Sequence, residues 1–317
     1  MRKILAIDGG GIKGVFPAAF LASLEESLEC SVADYFDLIV GTSTGGIIAI
    51  GLGLGLSAKE ILRFYEEHGP SIFRTNWIRQ LLSLGILPKY DRRPLEAALM
   101  SVFGNRILGE SKKRLVIPSA NLELGEVYVF KTAHHPRFER DHKTKVVDVA
   151  MATAAAPSYF PVFRNRFGTP LIDGGVWANN PLGFAVLEAI TVLRWERNEI
   201  RALSLGCTLE PLDVGRARSF PVGRLYWGTK IVDVFMSLQS SASNSMAQWI
   251  VGTENVYRIN PCVPTDRFRL DVVKEIESLK GLGDSEARKA LPMIRERFLT
   301  EPAEVFVPTL PKALKDI

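Results

Sequence analysis

Ser43 is the residue whose setting most clearly suggests chemistry, because glycines flank it in Gly41-Thr-Ser-Thr-Gly45. The apolar residues 38–40 precede this pentapeptide, and an apolar, glycine-rich run continues to about residue 56. A buried strand, a G-x-S-x-G turn and a buried helix together form a nucleophile elbow, whose tight turn leaves the serine Oγ exposed at its tip. We therefore take Ser43 as the candidate nucleophile.

A serine hydroxyl needs a neighbouring base before it can attack. The α/β-hydrolase order of serine, acid and histidine is not available, because no histidine follows Asp173; the histidines are His68, His134, His135 and His142. Asp173 ends a short apolar run and is followed by two glycines, as expected for a carboxylate at a strand end. A Ser43–Asp173 dyad is the simpler prediction. Since a carboxylate is a weak base for serine, geometry and oxyanion stabilisation must carry much of the rate.

The glycine run Gly9-Gly10-Gly11 is the candidate oxyanion hole. Successive glycines let backbone N–H groups turn toward one point, and the helix that follows adds positive partial charge there. The N–H of Thr44, which follows the candidate nucleophile, could be a further donor. Lys13 could reach a substrate phosphate, or it could be a solvated cation at the helix start.

A different function uses the same glycines, since Gly9-x-Gly11-x-x-Gly14 matches the dinucleotide-binding fingerprint. That function requires an acid at the end of the second strand. Gly-Thr-Ser-Thr-Gly stands there instead, and Asp34 and Asp37 precede the strand, so the cofactor-binding alternative is disfavoured. No P-loop lysine follows the last glycine. The histidines lack acidic or cysteine partners at ligand spacing, so no metal is expected.

The order of elements predicts an α/β fold. A strand at 3–7, a helix at Val15–Leu28, a strand at 38–40 and the elbow form a βαβα unit, which implies a mainly parallel sheet. Further along, the patterns predict strands at 114–120, 126–131, 171–173, 200–205 and 256–259, and helices at 59–67, 95–103, 146–156, 179 to about 197, 227–250 and 271–298. We expect one catalytic domain over 1–265, with a helical extension over 266–317 packed on it.

Composition limits the functional classes. The 317 residues are 47% hydrophobic and 23% charged, and the net charge of +4 is too small to suggest DNA or RNA as a partner. The chain opens without a signal-peptide pattern, and its three cysteines lack a disulfide spacing, so we expect a cytoplasmic protein.

The uncharged run 38–57 resembles a membrane span, but the elbow divides it. Residues 69–93 mix apolar and basic side chains, as expected of a surface loop or of a lid that faces an anionic membrane.

Three motifs in this order resemble the patatin-like phospholipase family: Asp8-Gly-Gly-Gly-Ile-Lys-Gly14, Gly41-Thr-Ser-Thr-Gly45 and Asp173-Gly-Gly175, supported by Ala154-Ala-Ala-Pro-Ser-Tyr-Phe-Pro161 and Asn179-Asn-Pro181. The resemblance implies a three-layer α/β/α sandwich that hydrolyses lipid acyl esters without a metal or other catalytic cofactor. It assigns Ser43 as nucleophile, Asp173 as base and Gly9–Gly11 as the oxyanion loop. Lys13 departs mildly from the arginine that other members carry.

The compact size and Lys89-Tyr-Asp-Arg-Arg-Pro-Leu look similar to a bacterial branch of anti-phage effectors that a cyclic dinucleotide activates. That branch implies cyclic GMP–AMP as activator, membrane phospholipids as substrate at the inner face of the cell membrane, and a homodimer or larger homo-oligomer on activation. The arginines available for the nucleotide are Arg74, Arg79, Arg92, Arg93, Arg137 and Arg140. The alternatives are a regulated membrane-binding protein and an unregulated lipid esterase.

Overall fold

The computed structural model describes residues 1–83, 86–211, 215, 223–265 and 267–309. Within these residues, an eight-stranded sheet consists of β1 (Arg2–Ile7), β2 (Leu38–Gly41), β3 (Arg114–Asn121), β4 (Glu126–Lys131), β5 (Phe163–Arg164), β6 (Pro170–Asp173), β7 (Ile200–Leu205) and β8 (Val256–Ile259). The helices around it are α1 (Val15–Leu28), α2 (Thr44–Gly53), α3 (Ala58–Ile72), α4 (Trp77–Leu82), α5 (Arg93–Phe103), α6 (Val146–Thr153), α7 (Gly175–Ala178), α8 (Leu182–Thr191), α9 (Arg224–Val251) and α10 (Ile276–Arg297).

The sheet has the order β5-β6-β3-β2-β1-β7-β8, with β4 paired to β3. Neighbours from β3 to β8 are parallel, whereas β4 and β6 pair antiparallel with β3. Alternate residues of β1 enter two cores: Leu5 and Ile7 pack on the face that α1, α2 and α3 cover, and Ile4 and Ala6 on the face that α8 covers. The predicted three-layer α/β/α fold with a mainly parallel sheet is confirmed.

One edge of β3 is shared by two strands that point toward each other. β2 runs parallel to β3 and pairs with residues 114–116, whereas β6 runs antiparallel and pairs with residues 119–121. Residues 119–121 also pair with β4, and a strand has only two edges, so β6 lies on the edge that β2 occupies. The carboxyl ends of β2 and β6 therefore meet near Pro118.

Element predictions succeed where the pattern is local and fail at several ends. The predicted bounds of α1, β7 and β8 agree with the structure. The helix predicted at 59–67 continues to Ile72, and the helix predicted to about 197 stops at Thr191, shortly before Arg194 takes a left-handed φ of 59°. The run 38–57 divides at Ser43 into β2 and α2, and no helix of the described residues has the length and apolarity to cross a bilayer.

The last long helix, α10, packs along α1. Gly283 lies so close to α1 that a Cβ there would be 2.6 Å from the Phe16 carbonyl oxygen. The residue after α10, Phe298, is buried against Phe36, and its carbonyl accepts the Lys3 ammonium at 2.9 Å. Residues 266 and 310–317 of the expected extension lie outside the described residues. From these contacts we propose that the rest of the extension unfolds together with the catalytic fold.

Two glycines of α10 provide a matched test of this packing. A Cβ on Gly281 meets nothing within 4 Å, whereas on Gly283 it meets the α1 backbone. Gly281→Ala should therefore raise the free energy of unfolding by up to about 1 kcal/mol through helix propensity. Gly283→Ala should lower it by about 1–3 kcal/mol through overpacking. Chemical denaturation measures both, and separate unfolding transitions for the helix and the catalytic fold would contradict a shared unit.

Candidate active site

Ser43 stands at a strained turn between β2 and α2. Its φ is +55° and its ψ is −122°, a conformation that residues with a side chain rarely adopt. The turn is tight enough that a Cβ on Gly41 would lie 2.0 Å from the Gly45 carbonyl oxygen. The serine side chain is thereby held at the start of α2, where the helix dipole is positive.

Asp173 is the last residue of β6 and reaches the same point from the opposite direction. It is buried, and its Oδ1 accepts the Gly175 N–H at 2.7 Å. Burial raises the pKa of the Asp173 carboxyl to about 6, although hydrogen bonding by the Ser43 hydroxyl and by the Gly175 amide lowers it. A carboxylate with this pKa is a stronger base than an exposed one and is still ionised at neutral pH.

The segment after Asp173 ties the three glycine-rich motifs together through its backbone. The Thr42 hydroxyl donates to the Ala178 carbonyl at 2.6 Å, and the Gly9 N–H donates to the Asn179 carbonyl at 3.0 Å. The Asn179 N–H in turn donates to the Gln239 side chain of α9 at 2.8 Å. The polar residues of α9 therefore support the loop behind the candidate base.

Thr153 holds the elbow in place. Its buried hydroxyl donates to the Pro118 carbonyl at 2.6 Å and accepts the Ser43 N–H at 2.9 Å. This one side chain therefore joins the nucleophile turn to the position on β3 where β2 and β6 meet. Sequence reasoning missed Thr153, because a threonine at the end of an apolar helix gives no local signal of its partners.

The glycine loop differs in one respect from the expectation. Because the Gly9 N–H already donates to Asn179, it is not free to bind an oxyanion in this conformation. Gly9 instead permits close approach, since a Cβ there would lie 3.1 Å from Ser43 Cβ. Within the described residues, the amides of Gly10 and Gly11 have no acceptor, and the Thr44 N–H begins α2 without an intrahelical one. These three amides remain available for an oxyanion.

Gly11 and the residue after it are held by a distant segment. Gly11 has a φ of +57°, and a Cβ there would lie 2.2 Å from the Leu270 carbonyl oxygen. The same carbonyl accepts the Ile12 N–H at 2.8 Å. A glycine is thus required for conformation and for space, and the loop cannot move independently of the chain around Leu270.

A buried ion pair lies beneath the glycine loop. Arg258 of β8 donates to both oxygens of Asp8, at 2.7 and 2.5 Å, and also to the Ser204 hydroxyl. Burial raises the pKa of the Asp8 carboxyl, whereas Arg258 and then Lys13 lower it. An arginine inside a short strand was the available sequence signal, but it did not identify Asp8 as the partner.

The arginines proposed for a nucleotide do not form one group. Arg79 donates to the carbonyls of Pro88 and Tyr90, Arg93 pairs with Asp91, and Arg137 stacks on Phe138. Arg74 and Arg92 are exposed, and Arg140 lines a cavity beside β4.

Residues 69–93 comprise the last turn of α3, the short helix α4 with the loops on either side of it, and the first residue of α5; residues 84 and 85 lie outside the described residues. Two of the apolar side chains of this segment, Ile72 and Phe73, pack inward. Trp77, Ile78 and Leu81 of α4 are exposed, Trp77 by 74%. The loop is anchored where Lys89 and Tyr90 both bind Asp271, next to the Leu270 carbonyl that supports the glycine loop.

The histidines have partners that the sequence did not suggest. Buried His134 lies between the Thr132 hydroxyl, at 2.9 Å, and Glu188 of α8, at 3.0 Å. Lys131 also pairs with Glu188. Among the described residues, no group of three histidine, cysteine or acidic side chains is arranged to hold a metal ion.

An elbow serine beside a buried strand-end carboxylate, in a three-layer α/β fold, is typical of serine acyl hydrolases. The family model of patatin-like phospholipases matches residues 5–186, which include both residues and the glycine loop. The chain belongs to the patatin-like phospholipase family, and it is accordingly a lipid hydrolase.

The chain is similar in sequence to two bacterial relatives and shares its fold with one solved structure. It is 36% identical over 296 residues to the cGAMP-activated phospholipase of Pseudomonas aeruginosa, a match that covers 91% of this chain and 88% of the relative. It is 40% identical to the cGAMP-activated phospholipase of Vibrio cholerae, over 56% of this chain and 55% of that protein. VipD from Legionella pneumophila shares the fold, with a TM-score of 0.51 at 13% identity over 92% of this chain and 67% of VipD.

Two variants of Thr153 should separate its role in positioning Ser43 from its contribution to the stability of the fold. Thr153→Val keeps the shape but removes the hydroxyl, leaving the buried Ser43 N–H and Pro118 carbonyl unpaired at a cost of about 2–4 kcal/mol. We expect kcat for a soluble ester to fall about tenfold or more, with a smaller change in KM. Thr153→Ser keeps both hydrogen bonds and should restore most of kcat. Equal kcat in the valine and serine variants would contradict the positioning role.

The pKa of Asp173 predicts opposite pH dependences for activity and stability. The base must be ionised, so kcat/KM for a soluble ester should be half-maximal near pH 6 and level above about pH 7. Because the folded-state pKa of about 6 exceeds the ordinary 3.8, ionisation destabilises the fold at pH 7, and this cost disappears below about pH 4. Asp173→Asn should raise the free energy of unfolding at pH 7 by about 1–3 kcal/mol while lowering kcat by about 10²–10⁴-fold.

Proposed function

We propose that this protein hydrolyses acyl esters of membrane phospholipids with a Ser43–Asp173 dyad, and that cyclic GMP–AMP activates it. The observation that carries the catalytic part is the meeting of the β2 and β6 ends on one edge of β3, which brings the two side chains together. The effect of the nearby Ser43 hydroxyl, which lowers the pKa of the Asp173 carboxyl, supports the same assignment. The similarity to two bacterial phospholipases that cGAMP activates supports the activator.

In the first half of the reaction, Asp173 accepts the Ser43 proton as Oγ attacks the ester carbonyl carbon. The amides of Gly10, Gly11 and Thr44 stabilise the resulting oxyanion, in a site where burial strengthens each hydrogen bond. As the tetrahedral intermediate collapses, the ester C–O bond breaks, and protonated Asp173 returns its proton to the departing lysophospholipid oxygen.

In the second half, water attacks the acyl-enzyme and Asp173 accepts its proton. Collapse of this intermediate releases the fatty acid and returns the proton to Ser43 Oγ. Asp173 thus alternates between base and acid, a role that a pKa of about 6 suits better than the pKa of an exposed aspartate. Lys13, partly exposed beside the glycine loop, is proposed to contact the substrate phosphate.

The route to a membrane is proposed to run over α4. Trp77, Ile78 and Leu81 expose an apolar face on a loop whose anchor, Asp271, adjoins the support of the glycine loop. An exposed tryptophan and aliphatic residues are suited to the acyl–headgroup boundary. We propose that the protein acts peripherally from the cytoplasmic side and assembles into a homodimer or larger homo-oligomer when activated.

Fatty-acid release from phosphatidylglycerol–phosphatidylethanolamine vesicles tests this function. Release should be low for the protein alone, rise at least tenfold with cyclic GMP–AMP, and be absent in Ser43→Ala under both conditions. Ser27→Ala, a change at an exposed serine of α1, is the matched control and should behave as the original protein.

Two other results would refute parts of the proposal. Release that requires Ser43 but is equal with and without any cyclic nucleotide identifies an unregulated lipid esterase. Vesicle binding without fatty-acid release, unchanged by Ser43→Ala, identifies a membrane-binding protein and overturns the hydrolytic dyad.

A further inference from the structure

Two adjoining cavities lie beside the antiparallel end of the sheet, apart from the residues that surround Ser43. The first, of about 240 Å³, is lined by β4, the first turn of α6, β5 and the turn at residues 165–169. The second, of about 370 Å³, adjoins residues 139–143. Both are lined by Arg140, Arg166 and Phe167, and we call the pair the cationic cleft. A cleft of this size is in the range of small-molecule sites, on the order of 300–1,000 Å³.

The rim of the cationic cleft is basic and aromatic. Arg140, Lys143 and Arg166 are exposed, and within the described residues none of them forms a salt bridge. The Arg166 guanidinium lies 4.7 Å from the ring centroid of Phe167, which is 74% exposed. Burial raises the pKa values of the nearby Asp141 and Asp148 carboxyls, whereas Arg140 and Arg166, respectively, lower them, so the charges of these arginines are balanced in part. Exposed cations without a salt bridge suit phosphate, and an exposed aromatic ring suits the face of a nucleobase. A phosphate-bearing lipid headgroup would use the cations but not the ring.

The first cavity is also lined by two carboxylates, which are less exposed than the arginines. Asp141 accepts the Lys131 N–H at 3.2 Å, so it is already engaged. Asp148 is partly buried on α6, and no hydrogen bond to its carboxylate occurs among the described residues. A partly desolvated carboxylate without a hydrogen-bond donor lowers the stability of the fold. It is suited to a ligand with paired N–H groups, such as those on the Watson–Crick edge of guanine. Glu139, in the second cavity, is an exposed acid at the rim.

The arrangement of the two cavities matches one class of nucleotide. A cyclic dinucleotide has two phosphates in a central ring and one base on either side. The shared wall of Arg140 and Arg166 corresponds to the central phosphates, and each cavity can take one base. The first cavity, with Asp148 in its lining, is matched to guanine.

Two elements lead from the cationic cleft to the candidate dyad. α6 carries Asp148 in its first turn and ends at Thr153, whose hydroxyl accepts the Ser43 N–H. β6 follows the turn at residues 165–169 and ends at Asp173. A ligand that draws the amino ends of α6 and β6 together can therefore shift both members of the dyad. The connecting elements are short, since α6 has eight residues and β6 has four.

We propose that the cationic cleft is the binding site for a cyclic purine dinucleotide containing guanine, and that α6 and β6 transmit its binding to Ser43 and Asp173. This inference rests on the activation included in the proposed function. Of the six arginines that the sequence suggested for the nucleotide site, the proposed site keeps Arg140 and excludes the other five. It also contains Lys143, Asp148, Arg166 and Phe167.

Direct binding tests the site independently of catalysis. Isothermal titration with cyclic GMP–AMP should give saturable binding to the original protein, and Arg166→Ala and Arg140→Ala should each weaken it about tenfold or more. Arg137→Ala is the matched control, because Arg137 is an exposed arginine three residues from Arg140 that lines neither cavity. It should bind as the original protein does. Circular dichroism and thermal unfolding establish that each variant is folded.

A second arm tests the base and the transmission. Asp148→Asn should weaken the binding of cyclic GMP–AMP by about tenfold but leave the affinity for cyclic di-AMP unchanged. Adenine does not present paired N–H groups to a carboxylate. Thr153→Val should bind cyclic GMP–AMP with unchanged affinity. The ratio of its fatty-acid release with nucleotide to its release without nucleotide should fall toward one, a ratio that a general loss of kcat leaves unchanged. Normal stimulation in Thr153→Val would overturn transmission through α6.

The remaining outcomes distinguish the possible failures. Unchanged affinity in both arginine variants would overturn the cleft as the site while leaving activation intact. No binding of cyclic GMP–AMP to the original protein would overturn both the site and the activation, whereas the Ser43-dependent hydrolysis would stand separately. Inorganic phosphate or phosphatidylglycerol vesicles that compete as well as the dinucleotide would identify a simple phosphate or headgroup site and refute the nucleotide assignment.

Discussion

The end-to-end meeting of β2 and β6 along one edge of β3 is the constraint on which the site depends. β2 runs parallel to β3 beside residues 114–116, and β6 runs antiparallel beside residues 119–121, so the carboxyl ends of β2 and β6 face each other. Pro118 lies between the two pairings and offers no N–H, while its carbonyl accepts the Thr153 hydroxyl. A serine after one strand and an aspartate at the end of the other are therefore brought together by backbone pairing, before any side-chain interaction contributes.

Burial gives Asp173 its chemical usefulness and also makes it a cost to the fold. The carboxyl is desolvated enough for its pKa to reach about 6, which suits the proposed base better than the pKa of an exposed aspartate would. The same desolvation opposes folding at neutral pH, as does the left-handed conformation of Ser43. The Thr42 hydroxyl and the Gly9 N–H donate to the Ala178 and Asn179 carbonyls, and the Thr153 hydroxyl accepts the Ser43 N–H. These hydrogen bonds offset the costs, because they fix the two turns against each other.

Two surfaces reach the dyad through different parts of the fold. The exposed face of α4 belongs to a loop anchored at Asp271, beside the Leu270 carbonyl that supports the glycine loop. The cationic cleft lies at the antiparallel end and joins the dyad through α6 and β6. In the proposed function, contact with a membrane would therefore act on the oxyanion loop, and contact with a small anionic ligand would act on the nucleophile and base. This separation would allow one protein to require both signals.

The sequence by itself determined the elements whose signals are local. Alternating or continuous apolar runs located β1, β7, β8 and α1, and glycine spacing identified the elbow, because a tight turn constrains residues adjacent in the chain. Tertiary structure decided which groups those elements meet. Only the folded chain shows that the Gly9 amide is taken by Asn179, that Thr153 supports Ser43, that Arg258 neutralises Asp8, and that Arg140 joins Arg166 rather than the other arginines. These contacts join residues 26 to 250 positions apart, and hydrogen bonding and ion pairing depend on distance in space, which composition and periodicity do not encode.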